Sequence, residues 1–391
     1  MNLSPILADN PPAFPKDKAL RVVIAGGGTG GHIFPGIAMA RAFAARNSGT
    51  QILFVGTGNR FERQALAGLP FSHTAIPAEG IKGRGVFRKL GAVIKIPIGV
   101  AHAVGVLGKF GADLVVGVGG YSSGPVVMGA FLMRIPIVLQ EQNLLPGMAN
   151  RVLGRLAKRI YLSFENTAPV FDSKKVLVTG NPVRPEIASY AASSGELGAR
   201  AGKEDRFTVL VCGGSQGAHA INRAVMDALA HLRNQPVDLI HQTGVADEAA
   251  VREAYETQGL SFRVSAFYEN MAAQYALADL VICRAGATTV AELTAMGKPA
   301  LFIPYPHAAD QHQALNAKSM ADAGAAEMIH ESVLTGQLLA DRITYYAADS
   351  HALARMAERS GRLGRPGAAE AIVDDCYRLL METPSRKTIS D

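Results

Sequence analysis

The chain has 391 residues, 48% hydrophobic and 18% charged, which is more than one core usually serves and predicts two globular domains with buried parallel strands. Its three cysteines, Cys212, Cys283 and Cys376, lie far apart without metal-ligand spacing, so they read as buried thiols of a reducing compartment. The net charge of +6 is uneven: residues 1–185 hold 21 Lys and Arg against 8 Asp and Glu, residues 186–391 hold 18 against 25, and the basic half points to an anionic partner such as phosphates, nucleic acid or a lipid surface.

Residues 1–19 carry Asp9, Asp17 and several prolines, which fits a flexible tail and not a signal peptide. Residues 20–26 read as a buried strand, followed by a glycine loop and a helix from about Pro35 to Arg46. Gly26, Gly28 and Gly31 match G-x-G-x-x-G, whose glycines let backbone approach a phosphate at a helix start. The strand at 51–55 runs into Gly56-Thr57-Gly58-Asn59 and not into an acidic residue, which disfavours a nicotinamide site; His32 after Gly31 disfavours a P-loop. His32 reads either as a base or phosphate donor or as a capping histidine.

Between Ile81 and Gly111 stand Lys82, Arg84, Arg88, Lys89, Lys95 and Lys109, no acid, and interleaved Val, Phe, Leu and Ile. This fits an interfacial surface for anionic lipid, at about 1 kcal/mol per basic residue, or an amphipathic helix packed on its own domain. Leu114 to Met133 lacks charge, but its five glycines and one proline favour a strand, a turn and a helix start over a membrane span. The strand at 136–139 leads into Gln140-Glu141-Gln142-Asn143, with Asn150 beyond, at a strand's carboxyl end. Two prolines in 180–185 mark a domain boundary, and 191–202 extends the linker.

The second half repeats the plan. A strand at 206–212 leads to Gly213-Gly214-Ser215-Gln216-Gly217 and a helix. Ala278-Asp279-Leu280 echoes Ala112-Asp113-Leu114, and Gly286 and Gly120 stand equally far past their aspartates. Thr288 and Thr289 open a helix whose N–H groups can hold a diphosphate, and Glu292 can take ribose hydroxyls or close a capping box with Thr289. Asp310-Gln311-His312-Gln313 and Asn316 gather groups suited to reading sugar hydroxyls. The expected domains are a tail at 1–19, an N-terminal domain at 20–185, a C-terminal domain at 186–364, and at 365–391 a helix packing back on the N-terminal domain, then a tail.

Gly-Gly-Thr-Gly-Gly-His at 27–32, Gly-Gly-Tyr-x-Ser-Gly-Pro at 119–125, Glu-Gln-Asn at 141–143, Gly-Asn-Pro-Val-Arg at 180–184, Gly-Gly-Ser-Gln-Gly at 213–217, Gly-Ala-Thr-Thr-Val-x-Glu at 286–292 and His-Gln-x-x-Asn-Ala at 312–317 occur in that order. Together, over about residues 20–380, they resemble the MurG family, GT-B-fold transferases of bacterial peptidoglycan synthesis. The resemblance implies an α/β fold of two Rossmann-like domains with parallel sheets facing across a deep cleft. It implies a transferase that moves GlcNAc from UDP-GlcNAc, with inversion, to the 4-hydroxyl of undecaprenyl-diphospho-MurNAc-pentapeptide (lipid I), giving lipid II. By that likeness the loops at 28–32 and 119–123, with Tyr121 and Ser122, face the lipid-linked diphosphate, and Thr29, Gly30, Gly31, Asn143 and Asn150 bind substrate. Arg184, Ser215, Gln216, Tyr268, Ala287, Thr288, Thr289, Val290, Ala291, Glu292 and Gln313 hold the nucleotide sugar, Tyr268 by backbone contact with uracil. His32 is the first candidate base and Glu141 the second, and no metal or other cofactor is expected. Gln140 stands where the family often has His, so position 140 receives no acid–base role; the run 308–311 differs in length from some members. The implied partners are UDP-GlcNAc, lipid I, an anionic membrane surface and other cell-wall synthesis proteins, with no nucleic acid. The implied place is the cytoplasmic face of the bacterial inner membrane, as a peripheral protein. The alternatives are another GT-B enzyme (a glycolipid synthase or a UDP-GlcNAc 2-epimerase), or a sugar-nucleotide binding module without catalysis.

Overall fold

The computed structural model describes residues 18–78, 86–193, 206–214 and 217–382, with the side chains of 86–95 and 193 left out. Strands β1 (Arg21–Gly26), β2 (Gln51–Gly56), β3 (Ser72–Ala75), β4 (Leu114–Gly119), β5 (Ile137–Glu141), β6 (Arg159–Leu162) and β7 (Val176–Val178) form one parallel sheet in the order β3-β2-β1-β4-β5-β6-β7. Strands β8 (Phe207–Cys212), β9 (Val237–Gln242), β10 (Phe262–Ser265), β11 (Leu280–Cys283), β12 (Ala300–Phe302) and β13 (Glu327–Met328) form a second, in the order β10-β9-β8-β11-β12-β13. Both are doubly wound α/β sheets. Their central strands are apolar on both faces because helices cover both, and Val22 to Ala25, Val115 and Val116 are fully buried.

The sequence echo has a structural cause. Asp113 accepts the Arg21 N–H at 2.8 Å, which sets β4 beside β1; Asp279 accepts the Thr208 N–H at 2.9 Å, which sets β11 beside β8. Each sheet reverses its winding at that pair, and ligands bind open α/β sheets at the carboxyl ends of the strands there. The turns after β1 and β4 meet in the first domain, where a β-carbon on Gly120 would stand 2.5 Å from the Gly27 carbonyl oxygen; in the second, Gly217 after β8 stands against Thr243 after β9.

The helix after β1 spans Gly30–Arg46, starting five residues before Pro35. Pro35 sits in its second turn, where it removes only the donor for the Gly31 carbonyl. Residues 114–133 fold as β4, a turn and the helix Ser123–Leu132. Among the described residues no helix is long and apolar enough to cross a membrane. The last helix, Ala368–Glu382, returns to the first domain: Ile372, Val373, Cys376 and Tyr377 share a core with Ile37, Met39 and Phe43. Asp375, buried, ties it down by accepting from Arg159 Nε and the Tyr161 hydroxyl, each at 3.0 Å. Val183 and Ile187 already lie in a core of the second domain, with Leu210, Tyr275 and Val290.

Candidate functional site

The first wall begins at the turn Gly26-Gly27-Gly28, all three at positive φ. The sequence did not point to its central residue. Glu62, 4% exposed on the helix Arg60–Leu66, accepts from Gly28 N–H at 2.7 Å, Thr57 N–H at 2.9 Å and Gly58 N–H at 2.7 Å. It also accepts from Thr57 Oγ1 at 2.9 Å and Asn59 Nδ2 at 3.3 Å. The readable signal was Asn59 followed three residues later by Glu62, an N-cap pattern, and Asn59 does cap that helix by accepting the Glu62 N–H at 2.9 Å.

Beyond Glu62's reach, Thr29 is the N-cap of the Gly30–Arg46 helix. Gly30 and Gly31 open that helix, where N–H groups have no carbonyl partner within it. His32 Nδ1 lies 3.1 Å from Thr29 Oγ1. Its ring rests on the turn after β4, because a β-carbon at Gly119 would come within 2.8 Å of Cδ2. Loss of hydration, and then the charge of His312 from the second domain, pull the His32 pKa down to about 4. The imidazole is therefore neutral at pH 7. Tyr121 is 60% exposed, whereas Ser122 and Ser123 are buried and their hydroxyls have no hydrogen-bond partner among the described residues.

The loop after β5 is held from beneath. Glu141, 2% exposed, accepts from Asn143 N–H at 3.0 Å, Gly147 N–H at 3.1 Å and Asn150 Nδ2 at 2.8 Å. Burial raises its pKa against those three donors. Saturated in this way, Glu141 shapes the loop that presents Asn143, and the second base candidate has no free oxygen aimed at the cleft. Asn150, 2% exposed, spends its Nδ2 under the loop, on Glu141 and on the Gln140 carbonyl at 3.3 Å, while its Oδ1 is buried with no partner among the described residues. Gln140 donates to Asn181 Oδ1 at 3.0 Å, a structural role.

The second wall starts at Gly213 and Gly214; Ser215 and Gln216 lie outside the described residues. Here the holding residue is Gln242, 3% exposed, which the sequence also did not single out. Its Nε2 donates to Gly214 O at 3.2 Å and its Oε1 accepts the Tyr268 N–H at 2.9 Å. The Tyr268 N–H is thus used internally. After β11, Gly286 caps the helix Ala287–Ala295. Thr289 is therefore inside the helix, and a capping box with Glu292 is not formed. Ala287 and Val290 are buried, Thr289 and Ala291 half-buried, and Thr288 Oγ1 is buried with no partner among the described residues.

Glu292, 3% exposed, is not free for ribose alone. Arg184 grips it with Nε at 2.7 Å and Nη2 at 2.9 Å, and Tyr275 donates at 3.3 Å. Burial works against the Arg184 charge, but Glu292 outweighs it and raises the pKa. The guanidinium also lies 5.8 Å from the ring of Phe34 in the first domain. Sequence reading gave these two residues separate contacts with one nucleotide sugar; the fold makes them a pair because 108 residues of chain return them to one place.

The walls meet at Asn316, fully buried, which accepts the Leu144 N–H at 3.1 Å and donates to Ala285 O at 3.2 Å. Gln313 accepts the Tyr305 N–H at 3.0 Å. Asp310 and Gln311 just before both sit at φ 53°, a left-handed geometry that costs about 1 kcal/mol or more per residue and that surrounding structure must hold. A cavity of about 340 Å³ opens between the domains, with Asn181, Ala287, Ala291 and Arg365 in its lining.

Comparison with known proteins agrees with this architecture. The glycosyltransferase family 28 N-terminal domain matches residues 22–162 and the family's C-terminal domain residues 208–372. The UDP-N-acetylglucosamine–N-acetylmuramyl-(pentapeptide) pyrophosphoryl-undecaprenol N-acetylglucosamine transferase of Syntrophus aciditrophicus is 45% identical over 363 residues, covering 92% of this chain and 99% of the relative. The protein of the same name from Myxococcus xanthus is 42% identical over 366 residues, covering 93% and 94%. The crystal structure of MurG from Acinetobacter baumannii superposes with a TM-score of 0.74 at 30% identity, over 93% of this chain and all of that one. The chain belongs to the MurG family, within glycosyltransferase family 28.

Proposed function

We propose that the protein transfers N-acetylglucosamine from UDP-GlcNAc to the 4-hydroxyl of undecaprenyl-diphospho-MurNAc-pentapeptide, with inversion, forming lipid II. The observation that carries the mechanism is His32: a neutral imidazole on the first domain's turn, close enough to the second domain to feel His312. In the first domain, Thr29, Gly30 and Gly31 offer an uncompensated helix start to the lipid-linked diphosphate. In the second, the helix Ala287–Ala295 offers its own start, with Thr288 Oγ1 beside it, to the nucleotide diphosphate.

The chemistry is a single displacement. His32 takes the proton of the acceptor hydroxyl as that oxygen attacks the anomeric carbon. The bond to UDP breaks on the opposite face, and the charge that develops on the diphosphate is met by the helix N–H groups. Glu292 meets the ribose hydroxyls while sharing its oxygens with Arg184. Asn143, Tyr121 and Gln313 line the sugar side, and Glu141 and Asn150 hold that side's loop in shape.

We also assign the first domain to the cytoplasmic surface of the inner membrane. Ile98 is 57% exposed on the helix Val86–Phe110, and Phe131 (49%) and Leu132 (63%) are exposed on the helix Ser123–Leu132 packed beside it, next to Arg134. Lys82 and Arg84 lie outside the described residues, as do the side chains of Arg88, Lys89 and Lys95. Radiolabelled UDP-GlcNAc with a lipid I analogue tests the function: a lipid-linked disaccharide and free UDP are expected, and hydrolysis or epimerisation without that product would refute it.

A further inference from the structure

We propose that Glu62 is a positioning residue that seats the acceptor turn and closes it to nucleotide diphosphates, an inference that rests on the assignment of the first domain to the acceptor. Two chain segments converge on its carboxylate: the turn after β1 through Gly28, and the turn after β2 through Thr57, Gly58 and the N-cap Asn59. The fit leaves no slack. A β-carbon on Gly27 would stand 2.5 Å from Oε1, and one on Gly56 2.5 Å from Oε2. The space beneath the turn amounts to about 10 Å³, at the limit for one water. A phosphate cannot enter it, so the only anion in this nest of N–H groups is the protein's own.

Two consequences follow for substrate. The Gly28 N–H, which a dinucleotide fold would turn toward a pyrophosphate, is spent. Anion binding is pushed one step along the chain to Thr29, Gly30 and Gly31, beside His32. Any phosphate lowered onto Gly28 itself would meet a buried negative charge directly behind the amide. In the second domain the side chain that touches the turn is neutral: Gln242 donates to the Gly214 carbonyl and accepts the Tyr268 N–H, and the nearby carboxylate, Asp247, is taken up by His219 and Asn222 on the helix that follows. The first turn thus carries a carboxylate on its own N–H, whereas among the described residues no carboxylate meets Gly213 or Gly214, and the nucleotide belongs to the second.

The test uses Glu62→Gln, Glu62→Asp and Glu62→Ala in the full chain. Glu62→Gln keeps the shape but turns an N–H₂ group toward N–H donors. We expect kcat/KM for a lipid I analogue to fall about tenfold to a hundredfold, as for reacting groups displaced by a fraction of an ångström, with KM for UDP-GlcNAc unchanged. Glu62→Asp recovers part of the loss, and acetate restores part of the activity of Glu62→Ala. A Glu62→Gln protein that melts like the parent and keeps both acceptor parameters would overturn the proposal. If the parent itself makes no lipid-linked disaccharide, the functional reading falls instead, and NMR of the turn decides this one. The Gly30 and Gly31 amide and His32 ring resonances should shift in Glu62→Gln as the turn loosens, and unmoved resonances overturn the positioning role.

Discussion

In the first domain a buried carboxylate gathers five donors around the turn after β1; in the second a buried amide gives one hydrogen bond and takes one around the turn after β8. The surrounding architecture is otherwise alike, down to the aspartates that pair β4 with β1 and β11 with β8. The difference teaches that a doubly wound sheet supplies a place for an anion but not its identity. A charged clamp fills that place from within, whereas a neutral one leaves it to a ligand. Histidines make the same contrast. His32 lies half-buried at the cleft with only Thr29 for a partner, while His241 is fully buried beneath Gln242, satisfied by Asn222 at 3.0 Å and Tyr255 at 3.1 Å. Burial depresses both, to about 4 and about 3, yet only the first faces the cleft.

The strongest way to break this comparison is His32→Ala. Turnover should fall about a thousandfold while UDP affinity, measured by calorimetry, stays put; loss of UDP binding instead would mean the walls are not separate. In the parent, the acid limb of kcat/KM should lie near pH 4, where the imidazole gains its proton, and a limb near 6.5 would contradict a desolvated base.

Next comes the Arg184–Glu292 pair, whose side chains are 23% and 4% exposed. Glu292→Gln or Arg184→Met should each cost roughly 3 kcal/mol in urea unfolding, because each strands a buried charge. The double variant should regain most of that stability but no nucleotide affinity. Additive losses would show that the two residues do not act as a pair.

Stability against pH compares the two histidines. His241 has a folded pKa below its unfolded value of 6.5, so the unfolded state binds the proton first as pH falls. Its contribution is constant above pH 6.5 and declines toward pH 3. At pH 4.5 the parent should lose about 2 kcal/mol more than His241→Gln, relative to pH 7.5. Equal slopes for the two proteins would refute a buried neutral His241. The smallest effect is expected for Gln242→Ala: KM for UDP-GlcNAc up about tenfold, the worth of one or two hydrogen bonds, with acceptor KM unchanged. A change on the acceptor side would erase the distinction between the clamps.

What the sequence by itself determined is local or periodic. The strand–glycine turn–helix units and the duplicated plan follow from hydrophobic runs and from glycines placed where backbone must turn, though the first helix starts at Gly30 and not at Pro35. Ordered motifs added the family and hence the reaction class. What only the tertiary structure decided is where charges end up. Glu62, which the sequence did not single out, became the anion of a turn 34 residues away. Arg184 and Glu292 read as two ligand contacts and became each other's partner. Glu141 and Asn150, near each other in sequence, turned inward together under their loop. The physical reason is common to all three. Propensity and pattern depend on neighbours along the chain, whereas the partner of a buried polar group is set by the register in which distant strands and helices pack, and burial makes an unpaired group costly.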